Sequence, residues 1–156
     1  MNTILIGFFS FFSNSEVKKI NGCTTEPYIR PFADYFGYII SDAACCIEHV
    51  KILQSIQSGI IKSYPGPGFA SFAHYYKDLA RIYEYDTGNY LMEIHPDQLI
   101  RIVSAFYMLL TEKKESFMEV EILSFTPYFE ETPIPDTVKA LPLIKLTDPI
   151  PLPPLN

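Results

Sequence analysis

The sequence has no tryptophan, and its glycines and histidines form none of the common nucleotide-binding or metal-binding motifs. Its seven glycines contain no GxGxxG pattern, and the Gly-Pro-Gly at 66–68 lacks the spacing and the lysine of a phosphate-binding loop. His49 follows Glu48, but no second histidine stands four residues later, so the HExxH zinc motif is absent. We therefore expect no catalytic residues, no metal site and no cofactor, and we interpret the chain as a protein that is not an enzyme.

Cysteine is scarce and odd in number, which argues against a disulfide framework. The three cysteines are Cys23, Cys45 and Cys46, whereas secreted disulfide-rich domains carry an even, spaced set. Adjacent side chains on a helix point about 100° apart, so Cys45 and Cys46 are poorly placed to bind one metal ion together. We interpret the cysteines as free thiols in a reducing compartment and expect a cytoplasmic protein.

The sequence also has fewer basic than acidic residues. It contains twelve Lys and Arg residues and eighteen Asp and Glu residues, which gives a formal net charge of −6. Nucleic-acid binding requires clustered cations, so the charge argues against DNA or RNA as a partner. An acidic surface instead favours a basic protein partner, because attraction between oppositely charged surfaces increases the rate of association.

The N-terminal apolar run is too short to span a bilayer. It resembles the core of a signal peptide in length, but no lysine or arginine precedes Lys18. We interpret Ile4 to Phe12 as a buried first strand, and we expect no membrane association.

Apolar and aromatic residues are plentiful, at 48% and 15% of the chain, and predict a packed core. Apolar residues spaced by three and four predict a helix that starts at Ser41 or Asp42 and reaches Ile60. A second helix is predicted from Pro96, where proline suits the first helical position. Residues 69–80 are interpreted as a short helix, and residues 35–40 as an extended segment.

The segment IYEYDTGNYLMEIHPDQL at 82–99 predicts a β-hairpin that leads into the second helix. Pairing across Thr87-Gly88 would place Tyr83 opposite Met92, and alternation would then leave the acidic side chains on a hydrated face. A later strand, FMEVEILSF, adds two more glutamates to an open surface. Together these acidic and aromatic residues form the predicted partner-binding surface: Tyr83, Glu84, Tyr85, Asp86, Tyr90, Glu93, Glu119 and Glu121.

The elements together predict an α+β fold, with an antiparallel sheet, two main helices packed on one face and a proline-rich C-terminal tail. Residues 1–132 form the predicted single domain. The tail covers residues 133–156, which hold seven of the thirteen prolines. Proline disfavours helix and central strand, so polyproline or irregular backbone is expected there, and its apolar part is expected to lie against the domain.

Two other functions are compatible with these patterns. Glu93 and His95 stand two residues apart on a strand and point the same way, which would suit a metal-dependent hydrolase. The apolar tail at 133–156 could alternatively dock the chain into a larger assembly.

The small size, acidic charge and lack of a catalytic motif resemble the immunity proteins that bacteria make against polymorphic or contact-dependent toxins. The resemblance rests on the pairing of tyrosines with carboxylates such as Glu84, Glu93 and Glu119, and on no local motif. It implies tight binding to a basic toxin domain, often a nuclease, by covering the active site or a neighbouring patch. The implied partner is therefore a cognate toxin.

Overall fold

The computed structural model describes residues 2–12, 19–65, 73–84, 87, 89, 91–126 and 133–156. Two long helices, one mixed sheet and one antiparallel sheet surround the main core. The strands are β1 (Asn2–Phe12), β2 (Lys19–Glu26), β3 (Ala73–Tyr75), β4 (Ala80–Tyr83), β5 (Leu91–Ile94), β6 (Ser116–Ile122), β7 (Ser124–Phe125) and β8 (Leu143–Ile144). The helices are α1 (Arg30–Asp34), which continues as a π-helical turn at Tyr35–Ile39, α2 (Ala43–Gln57), α3 (Pro96–Glu112) and α4 (Asp136–Lys139).

The first sheet has the strand order β2-β1-β6-β8 and is built around the apolar N-terminal strand. Strand β1 pairs antiparallel with both β2 and β6, while β8 pairs parallel with β6. Ile4, Ile6 and Phe8 alternate along β1 and are fully buried in the core. The predicted first strand is confirmed, and its burial is shown for Ile4, Ile6 and Phe8.

The second sheet has the order β3-β4-β5-β7, and the chain passes directly into it from the first. Strand β6 ends at Ile122, and β7 begins two residues later beside β5. At the crossing, the backbone N–H of Leu123 donates to the carbonyl of Glu93 at 2.9 Å. The two sheets share the main core, which contains Ile4 and Ile6 from the first sheet and Ile82 and Met92 from the second.

Helices α2 and α3 form in the two places where the sequence predicts them. The Asp42 side chain caps α2 by accepting a hydrogen bond from the backbone of Cys45 at 2.8 Å. Pro96 opens α3, and Lys113 ends it in the left-handed conformation. Ile60 lies beyond the end of α2 and is 80% exposed, so its predicted place on the buried stripe is wrong. The predicted α+β fold of antiparallel sheet and packed helices is confirmed, with the strands divided between two sheets and one parallel pair at β8.

Two shorter segments differ from the predictions. Residues 30–39 are helical rather than a loop and an extended strand, because Pro31 sits in the first turn, where no intrahelical N–H is needed. Residues 73–75 form an edge strand beside β4 instead of a helix, and no helix covers the described part of residues 69–80. Pairing with β4 buries Ala73 and Tyr75 in the core, which outweighs the local helical spacing.

The C-terminal segment at 133–156 packs along the domain. Ile134 and Val138 form a small cluster with Phe117 on the face of the first sheet that points away from the main core. The guanidinium of Arg101 then donates to the carbonyls of Lys145 at 2.7 Å and Asp148 at 2.8 Å. Despite its prolines, this segment contributes a short helix and a two-residue edge strand.

Candidate functional site

The predicted hairpin forms, but its register differs by one residue from the prediction. Tyr83 pairs with Leu91, and Ile82 pairs with Met92. Ile82 and Met92 are both fully buried, and a slip of one residue would turn one of them towards solvent. The predicted pairing of Tyr83 with Met92 is therefore wrong, and burial of the apolar pair explains the observed register.

Glu84 does not lie on a hydrated surface. Its side chain is only 2% exposed, and one carboxylate oxygen lies 2.7 Å from a guanidinium nitrogen of Arg30 on α1. The other oxygen accepts a hydrogen bond from the hydroxyl of Thr87. The predicted exposure is wrong because β4 ends at Tyr83, so strand alternation no longer sets the direction of Glu84.

Glu93 is half-buried and also has partners. One oxygen accepts from Nε of Arg81 at 3.1 Å and the other from the hydroxyl of Ser124 at 2.9 Å. These residues are cross-strand neighbours on β4, β5 and β7. The hydrogen bond and charge of Glu93 raise the pKa of Arg81. The Glu93 carboxylate thus links three strands.

Of the remaining members of the predicted surface on the hairpin, the structure describes Tyr83, which is partly buried. Tyr83 is half-buried, packs against the core and makes an edge contact with the ring of His74, with centroids 5.7 Å apart. Tyr85, Asp86 and Tyr90 lie outside the described residues.

His95 serves as the N-terminal cap of α3. Its Nδ1 accepts a hydrogen bond from the backbone of Asp97 at 3.1 Å and lies 3.5 Å from an oxygen of that carboxylate. Because Glu93 binds Arg81 and Ser124 while His95 caps the helix, the two side chains engage different partners. The described geometry does not join them in a shared site.

An acidic cleft forms where β6 leaves the first sheet for the second. It has a volume of about 240 Å³. We use the name acidic cleft for its lining residues: His95, Asp97, Gln98, Glu121 and Leu123. The sequence places Asp97 and Glu121 24 positions apart, and the passage of β6 beside the start of α3 brings them to one cavity.

Among the described residues, no lysine or arginine forms an ion pair with Asp97 or Glu121 of the acidic cleft. Asp97 is exposed in the first turn of α3, where the helix dipole favours negative charge, and it accepts a hydrogen bond from Gln57 at 2.5 Å. Glu121 and Glu119 are half-exposed and stand two residues apart on one face of β6. This part of the surface therefore offers negative charge to a cationic group from outside.

Among the described residues of the predicted surface, Glu121 lines the acidic cleft, and Glu119 stands two residues before it on the same face of β6. Asp97 and Gln98 lie in the first turn of α3, and no local sequence pattern indicates that they line a cleft with Glu121. The crossing of β6 between two sheets creates the cleft, and no sequence pattern marks that crossing.

A second polar cluster lies inside the core and serves its packing. The hydroxyl of Tyr75 lies 2.6 Å from the hydroxyl of Tyr35 and 2.8 Å from Nδ1 of His49. His49 is 4% exposed, and burial lowers its pKa to about 4. His49 on α2 therefore joins the helices to the second sheet as a neutral side chain near pH 7.

Acidification should destabilise the protein through His49. The unfolded histidine takes up a proton below its ordinary pKa of 6.5, whereas the folded one resists until about pH 4, so stability falls as the pH drops through this window. We expect the free energy of unfolding to fall by about 2 kcal/mol between pH 7 and pH 5 from this group. Urea denaturation at both values measures the change. The His49→Gln variant keeps a hydrogen-bonding side chain without this titration, and an equal pH dependence in that variant would contradict the assignment.

The described residues contain no group of three or more His, Cys, Asp or Glu side chains placed to hold a metal ion. Within the same ranges, no helix has both the length and the apolar character needed to cross a membrane. Comparison with protein-family models, curated proteins and solved structures finds no match to this chain.

Proposed function

We propose that this protein binds a basic protein partner through the acidic cleft and the neighbouring Glu119, and that it acts as an immunity or inhibitor protein against a toxin. The observation that carries the proposal is the convergence of Asp97 and Glu121 on one cleft, with no cationic side chain among the described residues paired to Glu121. Glu84 and Glu93, by contrast, are already paired with arginines of the same chain.

A lysine or arginine side chain entering the cleft would meet both carboxylates. Leu123 lies at the rim and is 46% exposed, so it offers an apolar contact beside the charges, as protein interfaces commonly do. The net charge of −6 would speed the approach of a basic partner at low ionic strength.

The same charges explain how binding could neutralise a nuclease. A nuclease holds phosphates with lysine and arginine side chains. An acidic protein surface competes for those side chains and covers them. The toxin's active site, or a patch beside it, is therefore the proposed contact.

The proposal predicts binding that depends on salt and on Glu121. The immobilised full chain is challenged with the purified products of genes adjacent to its own, and dissociation constants are measured between about 50 and about 300 mM salt. We expect a basic protein to bind, with affinity falling as salt rises. Glu121→Gln should weaken binding about fivefold at low salt, since one cleft carboxylate contributes about 1 kcal/mol.

Glu112→Gln is the matched control, because Glu112 is exposed at the end of α3, outside the lining of the cleft, and its replacement also removes one negative charge. This variant should bind within about twofold of the original chain. Equal weakening by both variants would show that net charge alone matters, and binding that ignores salt would remove the basis of the proposal. A toxin that binds should also lose its activity on its own substrate when the protein is added.

A further inference from the structure

The turn that follows α2 presents an isoleucine to solvent. Ile60 is 80% exposed, more than any other large apolar side chain in the described part of the chain, and its neighbour Ile61 is 38% exposed. Single exposed apolar residues are ordinary on protein surfaces. The meaning of Ile60 therefore depends on how the backbone holds it and on what lies beside it.

The backbone holds Ile60 in a fixed position. Gly59 adopts the left-handed conformation, with a φ of 82°. The N–H of Ile60 donates to the carbonyl of Ser55 at 2.9 Å, and the N–H of Gly59 donates to the carbonyl of Ile56 at 3.1 Å. These two hydrogen bonds form the Schellman motif, which ends many helices. Because the motif fixes the backbone of the turn, Ile60 loses little conformational freedom when a partner covers it.

The Schellman motif often gives its apolar residue a contact within the same chain. The residue after the glycine frequently packs against an apolar side chain one turn earlier on the helix. In this helix those positions are Gln54 and Ser55, which are both polar. Ile60 accordingly remains exposed, although its backbone is ordered by the motif. Burial of this side chain is left for a contact from another molecule.

The turn lies beside the acidic cleft. Gln57, the last residue of α2, donates a side-chain hydrogen bond at 2.5 Å to Asp97, which lines the cleft. Three residues of chain span at most about 11 Å, so the Cα of Ile60 lies within about 11 Å of the Cα of Gln57. An apolar side chain is thus held next to the cleft that contains Asp97 and Glu121. Protein interfaces commonly combine an apolar anchor with charged groups around it.

The charges indicate which molecule fits this region. Two copies of the chain meeting here about a two-fold axis would bring the same carboxylates together, which disfavours a dimer. A basic surface would instead pair with Asp97 and Glu121. We infer that Ile60 is the apolar anchor for the basic partner, and that it inserts into an apolar pocket beside the partner's lysine or arginine side chains. The inference rests on the function proposed above and adds an uncharged contact to it.

The test compares dissociation constants for the basic partner that the products of adjacent genes supply. Ile60→Ser should weaken binding about tenfold, because the variant loses the burial of an aliphatic side chain. The loss should be the same at about 50 and about 300 mM salt, since ions do not screen an apolar contact. The effect of Glu121→Gln, by contrast, should shrink as salt rises. The urea midpoint of Ile60→Ser should equal that of the original chain, because Ile60 is exposed.

Leu143→Ser is the matched control. Leu143 is 45% exposed and pairs with Phe117, at the opposite end of β6 from Glu121. This variant should bind within about twofold of the original chain. Equal weakening by Leu143→Ser and Ile60→Ser would overturn the inference, because the loss would not depend on the position of the apolar side chain.

The remaining outcomes separate this inference from the proposed function. If a partner binds with dependence on salt and on Glu121, but Ile60→Ser binds as well as the original chain, the inference is overturned and the proposed function stands. If no basic partner binds, both are overturned. Sedimentation of the original chain alone gives a third outcome: a dimer that Ile60→Ser converts to a monomer would show that a second copy covers Ile60, which also overturns the inference.

Discussion

Replacing Glu84 by glutamine is expected to lower the free energy of unfolding by about 3 kcal/mol. The carboxylate is 2% exposed and lies 2.7 Å from the guanidinium of Arg30. Glutamine keeps the size of the side chain but removes its charge, so the ion pair between Glu84 and Arg30 is lost at a position where the carboxylate is buried. Because Arg30 is itself 33% exposed, water compensates part of the loss, which places the value at the lower end for broken buried pairs. Urea denaturation at pH 7 measures the change.

Glu93→Gln is the matched comparison, since it makes the same chemical change in the pair with Arg81. That pair is more exposed, at 42% for Arg81 and 22% for Glu93, and water screens it. We expect a loss of less than about 1 kcal/mol. Similar losses in the two variants would contradict the distinction between a buried and a surface pair.

The parts of the fold that could be predicted from the sequence carry their signals locally. Helix α2 starts at a capping aspartate, Asp42, and α3 starts at Pro96, and both carry apolar residues at helical spacing. Strand β1 is a nearly continuous apolar run, as expected of a strand inside a sheet. Such signals depend only on neighbours within a few residues, so a single sequence reveals them.

The hairpin shows why other parts could not be predicted. A two-residue turn at Thr87-Gly88 is locally reasonable, but the register is set by burial of Ile82 with Met92. Which side chains face the core depends on the helices that cover the sheet. The same holds for residues 73–75, whose helical spacing is overridden by pairing with β4. Tertiary packing decides both cases.

The sequence predicted the acidic character of the candidate site but not the set of residues that form it. Acidic side chains on β6 were expected to face solvent, and Glu119 and Glu121 are half-exposed. Their convergence with Asp97 depends on the crossing of β6 between the sheets, which is a long-range feature. The ion pair between Glu84 and Arg30 joins residues 54 positions apart, so the local sequence around either residue does not predict it. Residue type therefore indicated a cationic partner, while the fold selected which carboxylates remain available.

Replacing Gly7 by alanine is expected to lower the free energy of unfolding by about 3 kcal/mol, or to release α4 from the first sheet. A Cβ at Gly7 would lie 2.3 Å from Cγ1 of Val138 and 3.3 Å from Cγ2 of Thr24. Contact with Val138 is far inside van der Waals distance, so α4 would have to move. The small cluster of Ile134, Val138 and Phe117 would then be exposed to water.

A double-mutant cycle identifies Val138 as the cause. Val138→Ala alone should cost about 2 kcal/mol from lost burial, but combined with Gly7→Ala it removes the close contact and should restore part of the stability. Gly37→Ala is the control, since a Cβ there meets no atom within 4 Å, and it should change stability by less than about 1 kcal/mol. Additive losses in the double variant would mean that Gly7 is needed for a reason other than Val138. Recovery would instead show that a missing side chain on β1 is what allows the C-terminal segment to pack against the sheet.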